Sequence, residues 1–143
     1  MKKLNNKGSV SVVLCLLMTA IMGLTALVID IGIVYAERIQ LTNALDSAAL
    51  AAALELPEHS ASAKTVAEDY LRKNGIDPAQ TTIVLSTDNK SIKIEGTKNV
   101  KHLFAPIIGI NSSDVNVQTK AMIAPVKSVK GIRPFAVEAF DFS

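Results

Sequence analysis

The sequence is short of the residues that usually build a dense core or a reactive site. Trp is absent and aromatic residues make up 4% of the chain, which excludes a core or ligand pocket built on large rings. There is one cysteine, Cys15, so no intramolecular disulfide is expected. Its neighbour Leu14 is too large for the residue that precedes a lipoprotein cysteine, and Cys15 reads as a small apolar side chain facing lipid or another helix. A dominant charge is also lacking. The formal net charge is +2, with the basic residues scattered except at the N-terminus, and this is too little to recruit nucleic acid. No Gly-rich phosphate loop, nucleophile elbow, His-x-x-x-His or framework of paired carboxylates occurs. His59 and His102 have no His, Cys or acidic residue at metal-ligand spacing and read as ordinary surface histidines. No catalytic residue, metal or cofactor is therefore expected, and the chain does not read as an enzyme. Asn111-Ser112-Ser113 fits a glycosylation sequon by pattern but reads as a turn. No repeat of the usual period and no low-complexity tract is found.

What the chain does have is a long apolar beginning. Val10 to Ile29 is twenty residues without a charge, and at 1.5 Å per residue it spans about 30 Å, the thickness of a bilayer's hydrocarbon core. Polar residues enter from Asp30 onward, while Val34, Leu41, Leu45, Ala48 and Ala52 keep helical spacing. The span thus predicts one rod running on into water, rich in Ala from Ala44, and ending at Leu56 because Pro57 disfavours helical dihedrals before it. Lys2, Lys3 and Lys7 precede the span, whereas Asp30, Glu37 and Arg38 follow it, so the positive-inside rule places the N-terminus in the cytoplasm. A cleaved secretory signal, with Val34-Tyr35-Ala36 as its site, is the rival reading. The apolar run is longer than a signal's core of about 7–15 residues, which favours a retained anchor.

The remainder predicts a small α+β ectodomain. A helix capped by Ser62 runs through Ala63, Val66, Ala67, Tyr70 and Leu71 to Arg72-Lys73-Asn74-Gly75. A turn at Asp77-Pro78 leads to a hairpin of Thr81–Thr87 and Ser91–Glu95. A short helix over Lys101–Ile108 closes at Gly109, and Asp114–Ile123 alternates as a third antiparallel strand. The chain divides into a basic leader (1–9), a transmembrane helix (10–29), its extracytoplasmic continuation (30–56), the α+β ectodomain (57–125) and an irregular tail (126–143). So few large side chains follow Pro57 that the ectodomain is expected to lean on the Ala/Leu face of the rod and fold with it.

Four stretches carry a resemblance to a known family. Lys7-Gly8 before the run, Val28-Ile29-Asp30-Ile31-Gly32-Ile33-Val34-Tyr35 at its end, then Arg38-Ile39-Gln40-Leu41 and Ala44-Leu45-Asp46-Ser47-Ala48-Ala49-Leu50-Ala51-Ala52-Ala53, resemble the N-terminal segment of the TadE/TadG-like proteins of Flp (Tad) pilus assembly. The chain has Thr42 where that family usually has Gln. The von Willebrand A domain of some members does not follow, and Asp141-Phe142-Ser143 is too little of its metal motif to count as one.

The resemblance implies a pilin-like or assembly component of a Tad/Flp pilus or secretion apparatus. Such a component works by helix packing in the cell membrane, with other apparatus subunits or its own copies as partners. Gly23, Asp30, Gly32, Arg38, Leu41, Ala44, Asp46, Ala48 and Ala52 are the candidates for helix association, the glycines as members of small-xxx-small pairs. Two alternatives stand beside it: a tethered adhesin or envelope-binding module, and a truncated relative whose missing C-terminal domain held the function.

Lys7-Gly8 is the arrangement a prepilin peptidase cuts, after Gly8. Polymerising pilins carry Glu at the fifth position beyond the cut, which here is Val13, and no carboxylate lies between Ser9 and Ile29. An unpaired terminal amine in hydrocarbon costs at least about 2.5 kcal/mol, so the leader is expected to stay.

Overall fold

The computed structural model describes residues 7–56 and 58–124. The element order is α1 (Lys7–Ala53), α2 (Ser60–Lys73), a 3₁₀ turn (Pro78–Gln80), β1 (Thr81–Leu85), β2 (Ser91–Lys101), a second 3₁₀ turn (Ala105–Ile108) and β3 (Ser112–Met122). The fold is α+β, with one three-stranded antiparallel sheet in the order β1-β2-β3. Gly8 lies in the first turn of α1. The irregular tail and Pro57 fall outside the described residues.

α1 is a single helix of 47 residues, about 70 Å long. It stops at Ala53, three residues before the expected end at Leu56. A helix running to Leu56 would meet the proline that follows without a backbone donor there, so its last carbonyls are taken up sooner. Glu55 N–H donates to Ala52 O at 3.2 Å and Leu56 N–H to Ala53 O at 3.1 Å, tightening the end into a turn.

His59 N–H then reaches back to Glu55 O at 2.8 Å, and α2 starts directly, with His59 at the N-cap and no side-chain cap. The expected cap Ser62 instead sits inside the first turn, its N–H bonded to His59 O. The C-terminus of α2 follows the expected design. Gly75 takes the left-handed conformation (φ 76), its N–H bonds Arg72 O and Ile76 N–H bonds Leu71 O. This is a Schellman closure whose apolar contact is the buried pair Leu71 and Ile76.

The strands are longer or shorter than alternation alone suggests. β2 runs on through Lys101, so the helix expected over Lys101–Ile108 shrinks to the 3₁₀ turn Ala105–Ile108. Pro106 supplies no N–H, and Gly109 (φ 87) ends the turn as expected. β3 begins at Ser112, paired with Lys101.

One face of the sheet covers α1. Ile92 and Ile94 of β2 and Val115 and Ala121 of β3 meet Leu41, Ala44, Leu45, Ala48 and Ala52 of α1, and Ala63, Ala67 and Leu71 of α2 complete the core. Small side chains let the layers approach: a Cβ on Gly96 of β2 would stand 3.2–3.3 Å from the methyl groups of Leu41 and Leu45. The alternation that reads Ile92 and Ile94 as core continues through Gly96, where the inward-facing space is filled by α1 itself. Each large core side chain contributes about 1.5–3 kcal/mol by its burial. Among the described residues the sheet and α2 have no core apart from the rod.

Candidate functional site

α1 has two unlike halves, and the candidate site lies where they meet. From Val10 to Ile29 its large apolar side chains are exposed, whereas from Leu41 to Ala53 one face is sealed under the sheet and α2. β2 descends antiparallel to α1 toward the boundary. Gly96 stands over Leu41 and Leu45, Lys98 pairs with Glu37 and lies 3.4 Å from Gln40, and the segment after Lys101 reaches Asp30.

Asp30 is 2% exposed. Its Oδ1 accepts from Leu103 N–H at 2.7 Å and Phe104 N–H at 3.3 Å, and its Oδ2 from Phe104 N–H at 3.0 Å and Ala105 N–H at 2.7 Å. The three donors come from consecutive residues entering the 3₁₀ turn, whose N–H groups have no partner within the turn itself. Donors of this kind suit an ionised carboxylate, since charge-assisted bonds are the stronger ones. Asp30 therefore ties the β2–β3 connection to the rod, a contact that its position in the sequence does not announce.

His102 is not the surface residue expected either. It is half-buried, its Nε2 is 2.9 Å from Ser113 Oγ, and its Nδ1 is buried without a partner among the described residues. An open groove of about 430 Å³ lies beside this junction. Leu27, Ile31 and Val34 line one wall, Ala105, Ile108 and Ile110 another, and Tyr35, Arg38, His102 and Ser113 its polar end. A smaller hollow of about 140 Å³ lies between Gly23, Ala26 and Leu27 of α1 and Phe104, Ala105, Ile107 and Ile108.

The residues singled out by sequence fall into three groups. Leu41, Ala44, Ala48 and Ala52 are buried within the chain's own core, where their packing partners are the sheet and α2. Asp46 is exposed and accepts the Thr119 hydroxyl at 2.5 Å, a tie from the rod to β3. Gly32 lies on the open side and Gly23, nine residues and so half a turn away, borders the hollow beneath Phe104 and Ile107; a Cβ at either would meet nothing within 4 Å, and Arg38 stands exposed at the groove. Sequence reasoning missed Lys98, Gly96 and the residues around His102. The available signal was the strand alternation, which continues past Glu95 to Lys98 and Val100.

The junction offers a carboxylate saturated by backbone donors, an imidazole and a guanidinium beside an apolar groove. That is equipment for packing and positioning. Among the described residues no three His, Cys, Asp or Glu side chains are grouped to hold a metal. No curated protein and no solved structure matches the chain. Residues 8–55, the exposed apolar half of α1 and the part beneath the sheet together, match the family model of putative Flp pilus-assembly TadE/G-like proteins.

Proposed function

We propose that the protein is a membrane-anchored component of a Flp-type pilus assembly apparatus that works by packing its long helix against other subunits, without catalysis. One observation carries this reading: α1 is long and apolar enough to cross a membrane, its first half is bare, and its second half is the scaffold of the ectodomain. The family match over residues 8–55 covers both halves and supports a pilus-related role. In this reading the lysines before the span keep the N-terminus in the cytoplasm, and the sheet stands outside.

The association face is the open side of α1, with Gly32 allowing close approach of a neighbouring helix and Arg38 at its edge, while Gly23 faces the hollow beneath the β2–β3 connection. Leu41, Ala44, Ala48 and Ala52 serve it indirectly by holding the ectodomain on the rod. Because a Cβ at Gly32 meets nothing within 4 Å among the described residues, Gly32→Leu leaves the fold intact. Recovery of partner subunits with the protein from native membranes falls, and surface fibres decrease. Unchanged recovery and fibre number overturn the packing role.

Orientation is read with an impermeant thiol reagent on intact cells in a Cys15→Ala background. Ser60→Cys labels and Asn5→Cys does not; labelling of Asn5→Cys alone reverses the topology. The intact mass of protein from native membranes reports whether the residues up to Gly8 are kept, as an anchored component requires.

A further inference from the structure

We propose that residues 103–110 form a second membrane contact, a loop seated in the leaflet on the ectodomain side beside α1. The proposal rests on the reading that residues 10–29 span the bilayer.

Depth is the first argument. Phe104, Ile107 and Ile108 share a hollow with Gly23, Ala26 and Leu27, and Gly23 lies six residues before the last residue of the charge-free run. Ala26 and Leu27 lie three and two residues before it, so at 1.5 Å per residue the loop's side chains reach about 3–9 Å inside the hydrocarbon boundary, comparable to the depth of about 5–10 Å typical of interfacial segments. If α1 spans, this loop cannot remain in water.

Its chemistry agrees with that position. Leu103 to Ile110 contains no charged residue, and Leu103, Phe104, Ile107, Ile108 and Ile110 are all exposed, Ile107 at 86%. The polar residues Lys101 and His102 on one side and Asn111 and Ser112 on the other bracket it, as residues at headgroup level do. The turn at the other end of the sheet, Thr87-Asp88-Asn89-Lys90, is polar throughout.

The backbone supplies an independent argument. Irregular backbone tolerates hydrocarbon only where its polar groups are satisfied within the protein. The N–H of His102 donates to Asn111 O, that of Ile107 to Phe104 O, that of Gly109 to Pro106 O and that of Ile110 to Ala105 O. The N–H groups of Leu103, Phe104 and Ala105 go to Asp30, and Pro106 has none to satisfy. Asp30 at the end of the span is what makes this loop compatible with lipid.

The chain has no tryptophan, so a single introduced indole reports its own surroundings. Full-length Ile107→Trp, Leu16→Trp and Val84→Trp are placed one chain per phosphatidylcholine nanodisc, with lipids brominated near the headgroup or near the midplane. Ile108→Trp repeats the loop measurement. The expected result is blue-shifted emission from Ile107→Trp quenched by shallow bromines, quenching of Leu16→Trp by deep ones, and water-like emission from Val84→Trp. Water-like emission from both loop variants while Leu16→Trp is quenched overturns the loop contact and leaves the span standing. Blue-shifted but unquenched loop emission also overturns it, because protein then covers the loop. An unquenched Leu16→Trp overturns the span, and the loop contact falls with it.

Discussion

The two halves of α1 use the same secondary structure for opposite ends. Between Val10 and Ile29 the large apolar side chains are exposed, and among the described residues that half is bordered only near its end, at Gly23, Ala26 and Leu27. Such a run would be held helical by a bilayer, because every backbone group must be satisfied internally there. Between Leu41 and Ala53 the commonest side chain, at six of thirteen positions, is alanine, a residue that contributes little apolar area. It serves by being small, so that the sheet and α2 can close on the rod at van der Waals distance. The first half is thus specified by its solvent and the second by fit.

Matched truncations test this division most strongly. Leu45 is fully buried and Leu16 is exposed. Leu45→Ala costs about 2–5 kcal/mol through lost burial and the cavity left behind. Leu16→Ala, at a side chain exposed among the described residues, leaves the stability of the sheet and α2 within about 0.5 kcal/mol. Denaturant unfolding in detergent, followed on the ectodomain, compares the two; equal losses erase the distinction between the halves.

A proline shows whether rod and ectodomain are one unit. Ala44→Pro costs about 3 kcal/mol in helix propensity alone and accelerates amide exchange across β1, β2 and β3. Protection unchanged in all three strands means the sheet folds without the rod.

Fit is tested in the other direction by adding volume. At Gly96 a new side chain presses on Leu41 and Leu45, so Gly96→Val destabilises by about 1–3 kcal/mol. A neutral thermal melt shows that the layers are less closely packed than this.

Asp30 marks the boundary between the halves, and Asp30→Ala acts locally. Exchange of the Leu103, Phe104 and Ala105 amides quickens roughly tenfold, as expected for local opening, while the strands keep their protection. Slow exchange in the variant assigns the loop's order to some other contact.

The smallest effect belongs to the β1–β2 turn. The Ser86 hydroxyl, 2.5 Å from Asp88 Oδ1, and then the Lys90 N–H at 3.2 Å hold the Asp88 carboxyl below its ordinary value of 3.8. A lowered pKa in the fold stabilises above the unfolded value and loses that contribution as pH falls through the folded one. Strand amide shifts near Asp88 therefore change only below the ordinary carboxylate range, and Asp88→Asn flattens the profile.

The parts legible in the sequence were those with a period or a punctuation mark. The continuous helix, α2 with Gly75 at its end, the hairpin and the final strand all follow from apolar spacing and turn residues. Ends were harder to place, because the end of α1 and the start of α2 depend on how carbonyls near Pro57 find partners. The junction was hidden for another reason. Asp30 and Leu103 are 73 positions apart, and nothing local in either stretch announces the other. Lys98 likewise reads as a solvated residue until Glu37 is seen beneath it.

Spacing of the polar ties along α1 has a mechanical consequence. Asp30, Glu37 and Asp46 engage the β2–β3 connection, β2 and β3 in turn, over 16 residues or about 24 Å of rod. The sheet lies lengthwise on the helix, so a tug along the rod loads all three ties and the layer between them together, in shear. A sideways tug on the sheet would open them one after another, as a zipper opens. A pull along the rod therefore leaves the sheet in register with the helix, although each tie alone is weak.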